Sequence, residues 1–140
     1  MPQKSAHDVY VSRNNCNLNQ RLKYKFSMMQ SSAIRRGVSF TLTFEDVLEM
    51  WRNQKGLCGL TSRRMFLTVG RGLFYRNCQM SIDRLDPQGS YTKDNVILCR
   101  FDANRQKSRR SLFSADYMEL YPEQVARVLQ FKPQLHQLAA

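Results

Sequence analysis

The chain has 140 residues and a formal net charge of +11, a length that suits a single domain with a modest core. Such a charge is unusual for an enzyme of small substrates and ordinary for a protein that binds nucleic acid, although small ribosomal and chromatin proteins share it. No apolar run approaches the length of a membrane span, and the N-terminus lacks a signal-peptide core. We therefore expect a soluble, cytoplasmic protein with no membrane partner.

The first predicted element is an amphipathic helix over residues 17–36, preceded by a polar, aperiodic arm. Apolar residues recur at spacings of three and four, and Gly37 is a suitable stop; they are Leu18, Leu22, Phe26, Met29 and Ala33. Basic residues, including Arg35 and Arg36, cover the rest of the helix. Two interpretations remain open: these charges form a solvated face, or they contact a nucleic-acid backbone.

A second helix is predicted to begin after Thr43 and to end at Gly56. Thr43 is a suitable N-cap, and the two acidic residues that follow Phe44 favour the positive end of a helix. Phe44, Val47, Leu48 and Trp51 form its apolar stripe. Residues 63–75 then alternate irregularly around two glycines, which predicts a loop or loose hairpin whose arginines are available to phosphates.

The four cysteines, Cys16, Cys58, Cys78 and Cys99, do not form a Cys-x-x-Cys pair. Structural zinc sites are usually recognised by such pairs. The spacing therefore argues against a structural zinc ion, and buried free thiols in a reducing compartment are the better interpretation.

The central stretch, residues 80–108, predicts a strand, a tight loop, a second strand and a helix. Residues 80–85 and 95–98 have strand character, and residues 87–90 carry turn chemistry. A hairpin followed by a helix can bring Asp83 and Asn104 together. One carboxylate and one amide oxygen make a hard, oxygen-rich site suited to Mg²⁺ or Mn²⁺. Asn104, Lys107 and Ser108 are predicted to share one helix face.

The C-terminal part contains the densest basic cluster and two short predicted helices. The cluster consists of Arg100, Arg105, Lys107, Arg109 and Arg110. We expect these side chains to contact phosphates and Lys107 and Arg109 to be exposed. Ser114 is predicted to cap one helix, and Pro122 suits the first turn of another.

Three motifs of the central stretch resemble the His-Asn-His endonucleases of the ββα-metal superfamily. They are Ser81-Ile82-Asp83-Arg84-Leu85-Asp86, then Tyr91-Thr92-Lys93-Asp94-Asn95-Val96, then Asn104-Arg105-Gln106-Lys107-Ser108. The order and spacing are similar to the bacterial and phage branch that has Asp-Arg in place of Asp-His. The resemblance covers residues 56–110. It implies an α+β fold, a small hairpin-helix core with flanking N- and C-terminal helices in one domain over residues 1–140.

The resemblance also implies residue roles. Asp83 and Asn104 would be metal ligands, and Asn95 would be the amide that orients the general base. Asn95 could equally bond the backbone across the hairpin. Asp86 before Pro87 starts a turn through its side chain or serves as a second metal ligand.

Arg84 departs from the pattern because it occupies the position of the base. A guanidinium keeps its proton in proteins, so Arg84 can grip a phosphate but cannot deprotonate water. A neighbouring group would have to activate the water, with Tyr91 first among the candidates, ahead of Tyr75 and His7.

Two function classes follow. The first is a Mg²⁺- or Mn²⁺-dependent DNA endonuclease, in a bacterial cell and of bacterial or phage origin, that leaves 5′-phosphate and 3′-hydroxyl ends. One such site usually cuts one strand, so double-strand cleavage would call for a homodimer. The second is a catalytically weak or inactive nucleic-acid-binding module built on the same core.

Overall fold

The computed structural model describes residues 18–67 and 76–136, and it has an α+β architecture of helices around a two-stranded antiparallel hairpin. Of the helices that the structure describes over their full length, two precede the hairpin, one follows it directly and two lie further toward the C-terminus. The elements are α1 (Leu18–Arg35), α2 (Phe44–Asn53), β1 (Met80–Arg84), β2 (Val96–Arg100), α3 (Phe101–Lys107), α4 (Ala115–Leu120) and α5 (Pro122–Phe131), with short 3₁₀-helices at Lys93–Asn95 and Pro133–Leu135.

Helix α1 buries one side along the hairpin and exposes the other. Leu22 and Ala33 are fully buried, while Phe26 packs edge-on against two aromatic rings of the following segment. The helix ends where Gly37 adopts a left-handed φ of 70°. The N–H of Val38 then donates to the carbonyl of Ala33, as is usual at a glycine stop. The predicted helix and its apolar stripe are confirmed.

Helix α2 begins with a reciprocal capping box. The Thr43 hydroxyl accepts from the N–H of Asp46 at 3.1 Å, and the Asp46 carboxylate accepts from the N–H of Thr43 at 3.0 Å. Each side chain satisfies a backbone donor that the first turn leaves free. Gly56 follows with φ of 70°, and Trp51 packs against the core beside it.

The hairpin pairs Met80 with Arg100 and Arg84 with Val96. Its connection is held by Asn95, whose Oδ1 accepts from the N–H of Asp86 at 3.0 Å and whose Nδ2 donates to two carbonyls of the loop. The Asp86 carboxylate accepts from the N–H of Gln88 at 2.9 Å. That contact is a turn-starting one, so the turn interpretation of Asp86 is confirmed.

The buried core lies between the hairpin and the helices on its two sides. Strand β2 is entirely buried, and Leu112, Tyr117 and Val128 close the core from the C-terminal side. Pro122 stands at the start of α5, as predicted. None of the described helices is long and apolar enough to cross a membrane.

Candidate active site

Asp83 reaches α3 because alternate residues of a strand share one face. Ser81 and Asp83 both lie on the face of β1 that α3 covers. The Nδ2 of Asn104 donates to the Ser81 hydroxyl at 2.6 Å, and one helical turn later the Nζ of Lys107 lies 3.1 Å from Asp83 Oδ2. The predicted shared face of Asn104 and Lys107 is confirmed.

The Asp83–Lys107 ion pair is buried. The Lys107 side chain is fully inaccessible, and the Asp83 side chain is 7% exposed. Lys107 donates its well-aligned hydrogen bond to the carbonyl of Arg84 at 2.9 Å, whereas Asp83 Oδ2 accepts no aligned hydrogen bond from the described residues. The short separation therefore gives Asp83 a neutralising charge, although the geometry leaves Oδ2 without an aligned hydrogen bond from the described residues.

Burial dominates the electrostatics of Asp83. Loss of hydration raises its pKa from 3.8 to about 6, against the opposing effects of Lys107 and Arg84. A carboxylate destabilised by burial gains from any further cation that reaches it. Such a perturbed acid in a cleft is a common feature of functional sites.

The donor set around Asp83 fits a hard divalent cation. Asn104 uses its Nδ2 for Ser81, so its amide oxygen is left as an acceptor. Asp83 and Asn104 line the same cavity. Mg²⁺ commonly binds one or two protein oxygens and keeps water in its other positions. The Asp83 carboxylate and the Asn104 amide oxygen are the groups that would hold it.

That cavity is a solvent-open groove of about 580 Å³ between α1 and the hairpin with α3. Three contacts fasten α1 across it. The Nζ of Lys25 donates to the Gln79 side chain, the N–H of Ile82 lies 3.2 Å from the Met29 sulfur, and a guanidinium nitrogen of Arg36 donates to the Tyr91 hydroxyl at 2.9 Å. The N-terminal helix is therefore one wall of the site.

Arg84 and Tyr91 lie together on the hairpin side of the groove. The Arg84 guanidinium stands 5.0 Å from the centre of the Tyr91 ring, and its NH1 donates to the carbonyl of Gly89 at 2.9 Å. Tyr91 is 8% exposed and packs on Phe40. Its hydroxyl is directed toward Arg36, which directly follows α1.

Asn95 is engaged in the loop. Both of its amide atoms bond the backbone, so the structure bears out the cross-hairpin interpretation. Asn95 does not line the groove. Its role as the amide that orients a base stays a prediction. The observed contacts support that role only indirectly, because they fix the loop between β1 and Tyr91.

The predicted nucleic-acid contacts divide into two groups. Arg35, Arg36 and Arg109 are exposed and line the groove. Arg105 is exposed beside it, with its guanidinium 5.7 Å from the ring centre of the groove residue Phe101. Together with Arg84, these side chains give the groove a cationic rim.

Three residues of the predicted basic cluster are placed otherwise. The expectation that Lys107 is exposed is wrong. Its ammonium is buried, pairs with Asp83 and donates a hydrogen bond to the Arg84 carbonyl. Arg100 is also buried and pairs with Asp102 at 2.9 Å. Arg110 lies over the Tyr117 ring and donates to carbonyls at the end of α3. These guanidinium and ammonium groups make contacts within the fold and are less available to phosphates.

The described cysteines, Cys58, Cys78 and Cys99, are buried free thiols. Within residues 18–67 and 76–136, no group of three or more His, Cys, Asp or Glu side chains is placed to hold a metal ion. Cys16, His7 and Tyr75 lie outside the described residues. The candidate magnesium site has one carboxylate and depends on the amide of Asn104 for its second donor.

Two features of the site escaped prediction. Lys25 of α1 lines the groove, and Lys107 is the internal partner of Asp83. A signal for the second was present, because Lys107 follows Asn104 by three residues and shares its helix face. Comparison of the chain with protein-family models, curated proteins and solved structures found no match.

Proposed function

We propose that this chain is a metal-dependent DNA endonuclease that hydrolyses a phosphodiester to 5′-phosphate and 3′-hydroxyl ends. The observation that carries the proposal is the buried Asp83 carboxylate, with one oxygen free of aligned hydrogen bonds, in a groove with a cationic rim. An acid among so many cations has a chemical use if it binds a metal ion beside a phosphate.

Each residue has a part that its contacts support. Asp83 and Asn104 would hold Mg²⁺ or Mn²⁺, which when bound stabilises charge on a phosphoryl group and on a leaving oxygen. Ser81 orients the Asn104 amide, and Lys107 orients Asp83. Arg84 holds a non-bridging phosphate oxygen. Tyr91 is the proposed proton acceptor, because it lies in the groove next to Arg84.

A catalytically inactive DNA-binding module is the second candidate, and one observation favours it. Lys107 already neutralises much of the Asp83 charge, so the carboxylate is tolerated near phosphates even without a metal ion. Arg84 in the position of the base points the same way. The two candidates share the groove and differ in whether a metal ion joins it.

We also propose the bacterial cytoplasm as the compartment. The three described cysteines are buried free thiols, which is the usual state in a reducing environment.

The deciding experiment is incubation with supercoiled plasmid in Mg²⁺ or Mn²⁺, with EDTA as the metal-free arm. Asp83→Ala and Asn104→Ala should abolish cleavage while DNA binding persists. Asp94→Ala is the matched control, because Asp94 is exposed and outside the groove. Cleavage by Asp83→Ala at the wild-type rate would refute the site. Intact plasmid with wild type in both metals, with binding retained, would favour the binding module.

A further inference from the structure

Two arginines from distant parts of the chain share one aromatic ring in the groove. The guanidinium carbon of Arg36, at the end of α1, lies 5.8 Å from the centre of the Tyr91 ring. That of Arg84, at the end of β1, lies 5.0 Å from the same centre. The aromatic ring attracts both cations, and both line the same groove as the ring.

Each guanidinium is also held in a set orientation. The Nε of Arg36 donates to the carbonyl of Ser32 at 3.3 Å, and its NH2 donates to the Tyr91 hydroxyl at 2.9 Å. Arg84 donates to the carbonyl of Gly89. A guanidinium has five N–H donors, so both side chains keep donors that these contacts do not use. Arg36 is exposed, and its free donors are open to solvent.

Neither arginine forms a salt bridge in the part of the chain that the structure describes. The ion pairs there involve Asp83, Asp102 and Glu49, and none includes Arg36 or Arg84. The buried carboxylate of Asp83 is directed to Lys107. Two cations that line one groove and form no salt bridge with the described carboxylates, fixed by a ring and by carbonyls, are preorganised for an anion.

We propose that Arg36 and Arg84 form a phosphate clamp at Tyr91, which binds a backbone phosphate of DNA lying in the groove. The clamp rests on the proposed function for the identity of its ligand. It makes α1 part of the substrate site, although that helix lies outside the hairpin-helix core. Tyr91 acts in it as a positioning residue, because its ring and hydroxyl hold Arg36 against the hairpin.

The test is DNA binding in EDTA, where no cleavage occurs, measured by fluorescence anisotropy with a labelled duplex over a salt series. Loss of one phosphate contact should reduce the slope of log K against log salt by about 0.9. At 0.1 M salt this corresponds to about 8-fold weaker binding. Arg36→Gln and Arg84→Gln should each show this change. Arg52→Gln is the control, because Arg52 is exposed on α2 and does not line the groove.

Two further variants separate charge from geometry. Arg36→Lys should keep the slope but bind more weakly, because the charge remains and the planar fork is lost. Tyr91→Phe should weaken binding less than Arg36→Gln, since the ring stays and the hydrogen bond goes. Circular dichroism should show the wild-type fold for each variant of Arg36.

The outcomes distinguish the clamp from the nuclease. An Arg36→Gln slope equal to that of Arg52→Gln would overturn the clamp, even if the wild type cleaves plasmid. A reduced slope in a protein that leaves plasmid intact would support the clamp and refute the nuclease.

Discussion

Asp83→Asn should make the metal-free protein more stable at neutral pH, although it removes one side of a buried ion pair. The charged carboxylate of Asp83 is nearly fully buried, and the cost of its lost hydration exceeds the attraction of Lys107, which is why its pKa rises to about 6. Asparagine is neutral at every pH and still offers an oxygen to the Lys107 ammonium. The variant therefore removes the destabilising charge and keeps an acceptor.

The magnitude follows from the two pKa values. The folded protein keeps its proton on Asp83 up to about pH 6, whereas the unfolded chain releases it near 3.8. The wild-type stability contributed by this group is thus greatest below pH 3.8, falls as the pH rises and levels off above 6. At about 1.4 kcal/mol per unit, the decrease is roughly 3 kcal/mol. Asp83→Asn should lack this decrease.

Urea denaturation in EDTA at pH 4, 6 and 8 measures the effect. The advantage of Asp83→Asn should grow from near zero at pH 4 to its full size at pH 8. Asp102→Asn is the control of opposite sign. Burial raises the pKa of Asp102, but the hydrogen bond and charge of Arg100 outweigh burial and leave the pKa lowered, so this substitution should destabilise at pH 8. An Asp83→Asn protein less stable than wild type at pH 8 would show that the Asp83 charge stabilises the fold.

Four other substitutions test the surrounding structure. Lys107→Met leaves the Asp83 charge buried alone and should lower the free energy of unfolding by about 3–5 kcal/mol at pH 8. The loss should be smaller at pH 5, because Asp83 is mostly protonated there. An equal loss at both pH values in urea denaturation would contradict the ion-pair assignment. Gly59→Ala places a Cβ 2.3 Å from Ile97 Cγ1 and 3.1 Å from the Leu98 carbonyl. It should lower the free energy of unfolding by about 1–3 kcal/mol and therefore lower the Tm. An unchanged Tm would mean that the Ile97 side chain moves aside without cost. Arg109→Ala should reduce the slope of log K against log salt for DNA binding by about 0.9. Arg100→Ala should lower the stability of the fold and leave that slope unchanged. The reverse pattern would overturn the assignment of which arginine faces the groove.

Elements with local signals follow from the amino-acid sequence alone. Helix α1 follows from its apolar repeat and from Gly37, and α2 follows from Thr43 with an acidic first turn. The hairpin and α3 follow from two strand-length runs around turn chemistry. Such features depend on residues within one or two turns of each other, which is why they could be predicted. The prediction that Asp83 and Asn104 share a cavity rested on the same hairpin-helix order.

Tertiary structure alone decided which basic side chains are available. In the sequence, Lys107, Arg100 and Arg109 belong to one run of positive charge. Packing of α3 on β1 buries Lys107 against Asp83, Arg100 turns to Asp102, and Arg109 remains at the groove. Burial depends on what an element packs against, and no local pattern records that. For the same reason the contact between Arg36 and Tyr91, 55 residues apart, became visible only when α1 was seen lying across the hairpin.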